Sequence, residues 1–247
     1  MSVRTWILLG IAVVSSALMP HAMADEKCKH QAEVNDDPAA RQLLKAAHEL
    51  RHVWRNFPGF AARLTFTEDE KTLQGEVIVT LQEVRVTLPD SGAEKKVTEM
   101  LRSLVAHRSP VPFEQSAGKY PIAFGDADDH PMGRLVRLGD PFRSAYRIKD
   151  GHIRQVIRHL GDTTMIITVL EETKTDEGWL PKHFTVAWWS KDGTLQRVET
   201  FTDRYVKVGN FWLPAERRVL TASKGGLTVT ILRLDEHRLL NAERAVR

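Results

Sequence analysis

A single cysteine, Cys28, stands in the 247 residues of this chain, so no internal disulfide can form and the fold must rest on its core and its sheet hydrogen bonds. The chain also lacks a dominant charge: 35 Lys and Arg face 32 Asp and Glu, interleaved along most of its length. A basic stripe, the footprint of a nucleic-acid binder, is missing, and no nucleic acid is expected as a partner. There is no Gly-x-Ser-x-Gly elbow, no phosphate-binding Gly-rich loop and no Cys-x-x-Cys pair. These absences leave no cofactor to expect and no catalytic residue to assign.

Long apolar runs are scarce too, and the longest lies at the start. Arg4, then Trp6 to Val14, then Ala22-Met23-Ala24 reads as an export signal over 1–24, with the mature chain starting at Asp25. The run is shorter than the roughly 20 residues a bilayer span needs. The expectation is an exported protein, periplasmic or extracellular, that does not span a membrane. Removing 1–24 takes away Arg4 alone and leaves a net charge of +2. Residues 25–36 read as a charged, disordered leader in which Cys28 is an incidental thiol, since Cys28 and His30 are too few to close a metal site. Residues 37–247 are long enough for one sizeable core and read as a single β-rich domain.

Within that domain, Asp37 before Pro38 looks like a helix cap with proline at the first helical position. Apolar residues recur at Leu43, Ala47, Leu50, Trp54 and Phe57, and Pro58-Gly59 stops the pattern. Strand-period alternation follows over 60–67, then strands are expected over 76–81 and 84–88. A second amphipathic helix carries Val97, Leu101, Leu104 and Val105 on one face. From Phe113 onward Gly, Asp and Pro break the chain at short intervals, as in an antiparallel meander. Leu195, Arg197, Glu199, Phe201, Asp203 and Tyr205 alternate with Gln196, Val198, Thr200, Thr202 and Arg204, and the meander is expected to have one apolar and one polar face. Trp179-Leu180-Pro181 returns as Trp212-Leu213-Pro214, a weak internal repeat in which proline marks the start of a strand.

His48-Glu49-Leu50-Arg51-His52 matches HExxH, in which two histidines one helical turn apart bind zinc and the glutamate acts as general base. At 100° per residue, however, His48 and His52 fall beside Arg41, Lys45 and Arg55, opposite the apolar stripe, and should face water. Lys45 and Arg51 occupy places that zincin helices keep uncharged, and nothing downstream identifies a third ligand. Asp126-Ala127-Asp128-Asp129-His130 lacks the Gly and distant Glu of a calcium loop and reads as a polar turn. No metal ligand is assigned.

Arg51-x-x-Trp54 with Phe57-Pro58-Gly59, His107-Arg108, Phe113-Glu114-Gln115 with Gly118-Lys119, and Phe201-x-Asp203-x-Tyr205-x-Lys207-Val208-Gly209 resemble an uncharacterised domain-of-unknown-function family of photosynthetic bacteria and plant plastids. The likeness covers about 38–240. That family's pattern has tyrosines where His48 and His52 stand here, and one more residue between the tryptophan and Phe-Pro-Gly, so the likeness does not depend on either histidine. It implies a fold and no catalytic residues. The order of elements and the Tyr205 to Pro214 run also look like the half-barrel of periplasmic lipoprotein carriers, which wrap a curved antiparallel sheet around helices and hold acyl chains between them.

Together these readings predict an α+β, mainly β fold: a curved antiparallel sheet, half-barrel-like, packed against two amphipathic helices. The function they favour is a non-enzymatic one, the binding of a lipid or other apolar small molecule between sheet and helices. Trp54, Trp188, Trp189 and Trp212 are the expected ligand-binding residues. The alternatives are a zinc-dependent hydrolase through His48, Glu49 and His52, and a module that takes a protein partner at a sheet edge.

Overall fold

The structure is a computed structural model, and residues 34–240 are described. The export signal expected over 1–24 and Cys28 lie outside the described residues, as does most of the leader. Its last residue, Asp36, is tied down: its Oδ1 accepts from Ile122 N at 2.8 Å.

Helix α1 spans Pro38–Glu49, and the Asp37 carboxylate caps it by accepting from Ala39 N at 2.8 Å and Ala40 N at 3.1 Å. Three strands follow, β1 (Phe60–Glu68), β2 (Lys71–Val79) and β3 (Val84–Thr87), and then helix α2 (Ser91–Arg108), capped by Asp90. Two short 3-10 turns lead into the meander of β4 (Ile122–Phe124), β5 (Arg134–Leu138), β6 (Ala145–Lys149), β7 (His152–Leu160), β8 (Thr163–Thr175), β9 (Gly178–Ser190), β10 (Leu195–Val208), β11 (Phe211–Ser223) and β12 (Gly226–Leu239). All twelve strands form one antiparallel sheet in the order β3-β2-β1-β12-β11-β10-β9-β8-β7-β6-β5-β4. The fold class read from the sequence is therefore the observed one: mainly β, a curved open sheet with two helices.

Cross-strand partners point to the same side of a sheet, so the register shows which residues share a face. Asp203, Arg217, Leu232 and Phe66 form one such row, and Val136, Tyr146, Val156, Ile167, Val186 and Glu199 another. Both rows lie on the side that bears the helices. At one end α2 presents Val97, Leu101 and Leu104 to a cluster with Phe66, Leu232 and Leu234. At the other, α1 presents Ala40, Leu44 and Ala47 to Ile122, Val136 and Leu138.

Three local expectations are corrected. Helix α1 ends at Glu49 instead of running on to Phe57, because the next residues pair with β9: Trp179 N donates to Leu50 O at 2.9 Å and His52 N to Trp179 O at 3.0 Å. Its buried residues are accordingly Ala40, Leu44 and Ala47, while Leu50 is 40% exposed. The second strand starts at Lys71, five residues before the expected position, since a two-residue turn after Glu68 lets Lys71 pair with it at once. In β10 the charged residues Glu199 and Asp203 face the helix side, where each is answered: Glu199 accepts from the Trp188 indole and Asp203 takes two bonds from Arg217.

Candidate functional site

A trough is formed where the helices stop. Helix α2 packs chiefly on β3, and α1 on β4, β6 and β7, so neither lies squarely over β8, β9 and β10. On the helix-bearing side of these strands, Ile167, Phe184, Trp188 and Phe201 remain half-buried, whereas Leu213, Leu180 and Phe60 in the cores are 0% exposed. Phe184 and Phe201 stack as cross-strand partners, centroids 4.6 Å apart and planes within 3°. Trp188 donates from Nε1 to Glu199 at 2.8 Å and lies under the Arg197 guanidinium, 4.5 Å from the ring centroid.

The four tryptophans expected to line a pocket do not all meet: Trp54 and Trp212 lie together, apart from Trp188 and Trp189. Trp188 faces the trough. Its neighbour Trp189 points to the opposite face, since successive strand residues alternate sides, and pairs with Thr164 and Leu195. Trp54 is 1% exposed, stacked on Phe57 at 4.3 Å with Nε1 donating to Trp212 O at 3.1 Å, so it belongs to the α2 core and offers no ligand surface. Trp212 stands beside it, half-buried. An apolar crevice of only about 10 Å³ does lie between α2 and the sheet, lined by Met100, Leu104, Pro214 and Leu232 among others, but by none of the four tryptophans. It is smaller than the roughly 300–1,000 Å³ of ordinary ligand pockets.

At one end of the trough, five distant stretches of sequence converge. Residues 50–54 cross from α1 to the α2 core as a strap held by the two Trp-Leu-Pro repeats: His52 N donates to Trp179 O, and the Trp54 indole to Trp212 O. The strap passes so close to β9 that a Cβ on Gly178, at φ +145°, would lie 2.6 Å from Leu50 O. Trp54 N also donates to Arg108 O at 2.7 Å, which joins the strap to the end of α2. Arg108 in turn donates from Nη2 to the Tyr205 hydroxyl at 3.1 Å, and that hydroxyl lies 2.7 Å from Pro181 O and 3.2 Å from Asp203 Oδ2. Asp203 accepts two bonds from Arg217. Next to Arg108, His107 is exposed to solvent, and the crowding of protein atoms around it, followed by the neighbouring Arg108, lowers its pKa.

The HExxH residues are arranged otherwise than the motif requires. His52 lies beyond the end of α1, and far from facing water it is 1% exposed, with Nδ1 2.9 Å from Thr175 Oγ1. His48 places Nε2 3.1 Å from Val111 O and 2.9 Å from Arg51 Nη2, and Glu49 lies within 3.9 Å of Lys45. Among the described residues no group of three or more His, Cys, Asp or Glu is placed to hold a metal ion. In the 126–130 turn, Asp128 spends both carboxylate oxygens on Arg147, at 3.0 and 2.8 Å, which holds its carboxyl well below the usual range. Sequence reasoning missed Arg108, Asp203, Tyr205 and Arg217 as one cluster, although the first three stand in the stretches that carry the family likeness.

No curated protein matches the chain. Three solved structures are similar over most of their length. A LolA superfamily protein from Nitrosomonas europaea is 12% identical, covering 82% of this chain and 94% of that one, with a TM-score of 0.36. A domain from Vibrio parahaemolyticus named for outer membrane lipoprotein sorting is 10% identical, over 85% and 94%, with a TM-score of 0.37. A DUF1329 family protein from Desulfovibrio piger is 13% identical, over 83% and 93%, with a TM-score of 0.32. The family resemblance read from the Arg51, Trp54, His107-Arg108 and Tyr205 stretches is met by a match over residues 35–240: the chain belongs to the family described as protein of unknown function, DUF3386.

Proposed function

We propose that this chain is an exported, non-enzymatic binding protein that holds a lipid or other apolar small molecule against the helix-bearing face of β8, β9 and β10. The observation that carries the reading is the partly exposed apolar surface of Ile167, Phe184, Trp188 and Phe201, aligned on one face between the two helical caps. Contiguous apolar surface costs free energy in water, and a soluble fold commonly keeps it for a ligand. Trp188 is the tryptophan this reading assigns to the ligand. The sheet's free edges offer a protein partner little by comparison, since β3 has four residues and β4 three. No helix among the described residues is long and apolar enough to cross a membrane.

Native mass spectrometry of the protein purified from its own compartment tests the reading. A retained mass in the lipid range, lost on Trp188→Ala, is the expected result. A bare polypeptide that also fails to take up dodecanol would overturn it.

A further inference from the structure

An antiparallel sheet with one covered side normally places its charged and polar residues on the other. Here the outer face, opposite the helices, departs from that rule over the six longest neighbouring strands. The register sets Ile157, Ile166, Ala187, Val198, Ala222 and Leu227 side by side across β7 to β12. They alternate with the row of Val156 and Glu199, which faces the helix-bearing side. On one flank of this outer row lie Thr168, Thr185 and Thr200, between Gln155 and Leu220; on the other, Trp189 lies between Thr164 and Leu195. Among the described residues of these three rows on β7 to β12 there is no Asp, Glu, Lys or Arg. Their one titratable group, His159, lies 3.0 Å from Thr164 Oγ1, and burial first and then Arg143 lower its pKa. The charges of the same strands stand on the helix-bearing side instead, as Arg158, Arg197, Glu199, Asp203 and Arg217.

Leu195 is 41% exposed and Leu227 63%, so large apolar side chains stand free at both ends of the patch. Charge returns only at its margin, with the exposed Arg218 one row further along the strands and Lys191 and Lys224 in the turns at the opposite end. An uncharged centre within a polar rim is the anatomy of a protein interface. Six strands and three rows cover about 29 Å by 20 Å at ordinary strand and residue spacings. Two such faces laid together bury on the order of 1,100 Å², enough for a specific association. The occupant that suits this chemistry is the same face of another copy. In a two-fold pair the patch meets itself, so every charge near its centre would meet its like, and a centre without charge removes that penalty.

We propose that the outer face of β7 to β12 pairs two copies of this chain, sheet on sheet, in a two-fold dimer centred on the row of Ile166, Ala187 and Val198. The helix-bearing face of each copy, with Trp188, stays open in that arrangement, so the dimer does not depend on the ligand reading. Sedimentation equilibrium of the protein as exported, over about 1–100 μM, is expected to show a monomer–dimer equilibrium. Ala187→Lys and Ala187→Glu, at the middle of the patch, should each raise the dimer dissociation constant at least about tenfold with the far-UV circular dichroism unchanged. Mixing the two variants should restore the dimer as the mixed pair, because opposite charges then meet. Thr185→Lys, at a position that is already polar, should give the same loss and serves if the Ala187 variants do not fold.

A wild-type protein that stays monomeric at about 100 μM overturns the proposal. If that monomer floats with phosphatidylcholine vesicles, the face belongs to a lipid surface instead of a second copy. A dimer that survives both Ala187→Lys and Thr185→Lys overturns it as well, since the contact then lies elsewhere. Trp188→Ala, on the opposite face, is expected to leave the dissociation constant unchanged, and a dimer lost on that substitution would place the contact on the helix-bearing side.

Discussion

Asp203 grips Arg217 through two parallel bonds, Arg217 Nε to Oδ1 at 2.8 Å and Arg217 Nη2 to Oδ2 at 2.6 Å, across neighbouring strands in the interior of the molecule. The side chains are 3% and 10% exposed, and the Phe184 and Phe201 rings lie 5.9 and 5.4 Å from the guanidinium. Such a pair contributes little net stability relative to apolar packing, but either partner alone is a buried charge without an answer.

Asp203→Ala should therefore destabilise the protein by about 3–5 kcal/mol, and Asp203→Ala with Arg217→Met by much less. Urea denaturation of the two single variants and the double variant measures the coupling. Additive losses would show that the bidentate contact does not hold in solution.

Trp188 and Trp189 are neighbours in sequence and face opposite sides of β9. Trp188→Ala should weaken uptake of dodecanol at least fivefold, and Trp189→Ala should leave it within twofold, by fluorescence displacement of an apolar dye. The reverse order would place the ligand on the outer face of the sheet.

Stability should fall on mild acidification. Burial first, and then Arg108 and Arg55, push the His52 pKa from 6.5 down to about 4, so the unfolded chain binds this proton more readily than the folded one. The stabilisation is complete above pH 6.5 and is lost as pH falls through about 4, and between pH 7 and 5 the cost for this group is about 2 kcal/mol. Urea midpoints at the two pH values measure it, and His52→Gln should flatten the difference.

Zinc should have no specific effect. His48 and His52 are committed to Val111, Arg51 and Thr175, and only His48 lies on the helix. Equimolar zinc is expected to leave Tm unchanged in the wild type and in His48→Ala alike; a rise in Tm of several degrees that disappears in His48→Ala would restore the hydrolase reading.

Much of the architecture was legible in the chain because its signals are local. Asp37-Pro38 and Asp90 cap the helices where capping chemistry places them, and Val97, Leu101, Leu104 and Val105 all face the core. The Gly, Asp and Pro breaks of the meander fall between its strands, and both Trp-Leu-Pro copies open one, with Leu180 and Leu213 each 0% exposed. The candidate site was legible only in pieces. Trp188 was marked by its residue type alone, which marked Trp54 and Trp189 equally, and His107 and Arg108 carried the family likeness without any indication of a role.

The sequence by itself determined the helix caps, the turns, the sheet-rich class and the family, since each depends on residues close together or on a pattern spread along the chain. Only the tertiary structure decided that α1 stops at Glu49, that β1 pairs with β12, and that the strap of residues 51–54, the end of α2 and Tyr205 meet beside the apolar face of β8, β9 and β10. Those outcomes depend on competition between local propensity and long-range pairing. The hydrogen bonds that Leu50 and His52 make with Trp179 outweigh another turn of helix, and charges that look like solvated surface in the sequence acquire meaning from the neighbours the sheet brings to them.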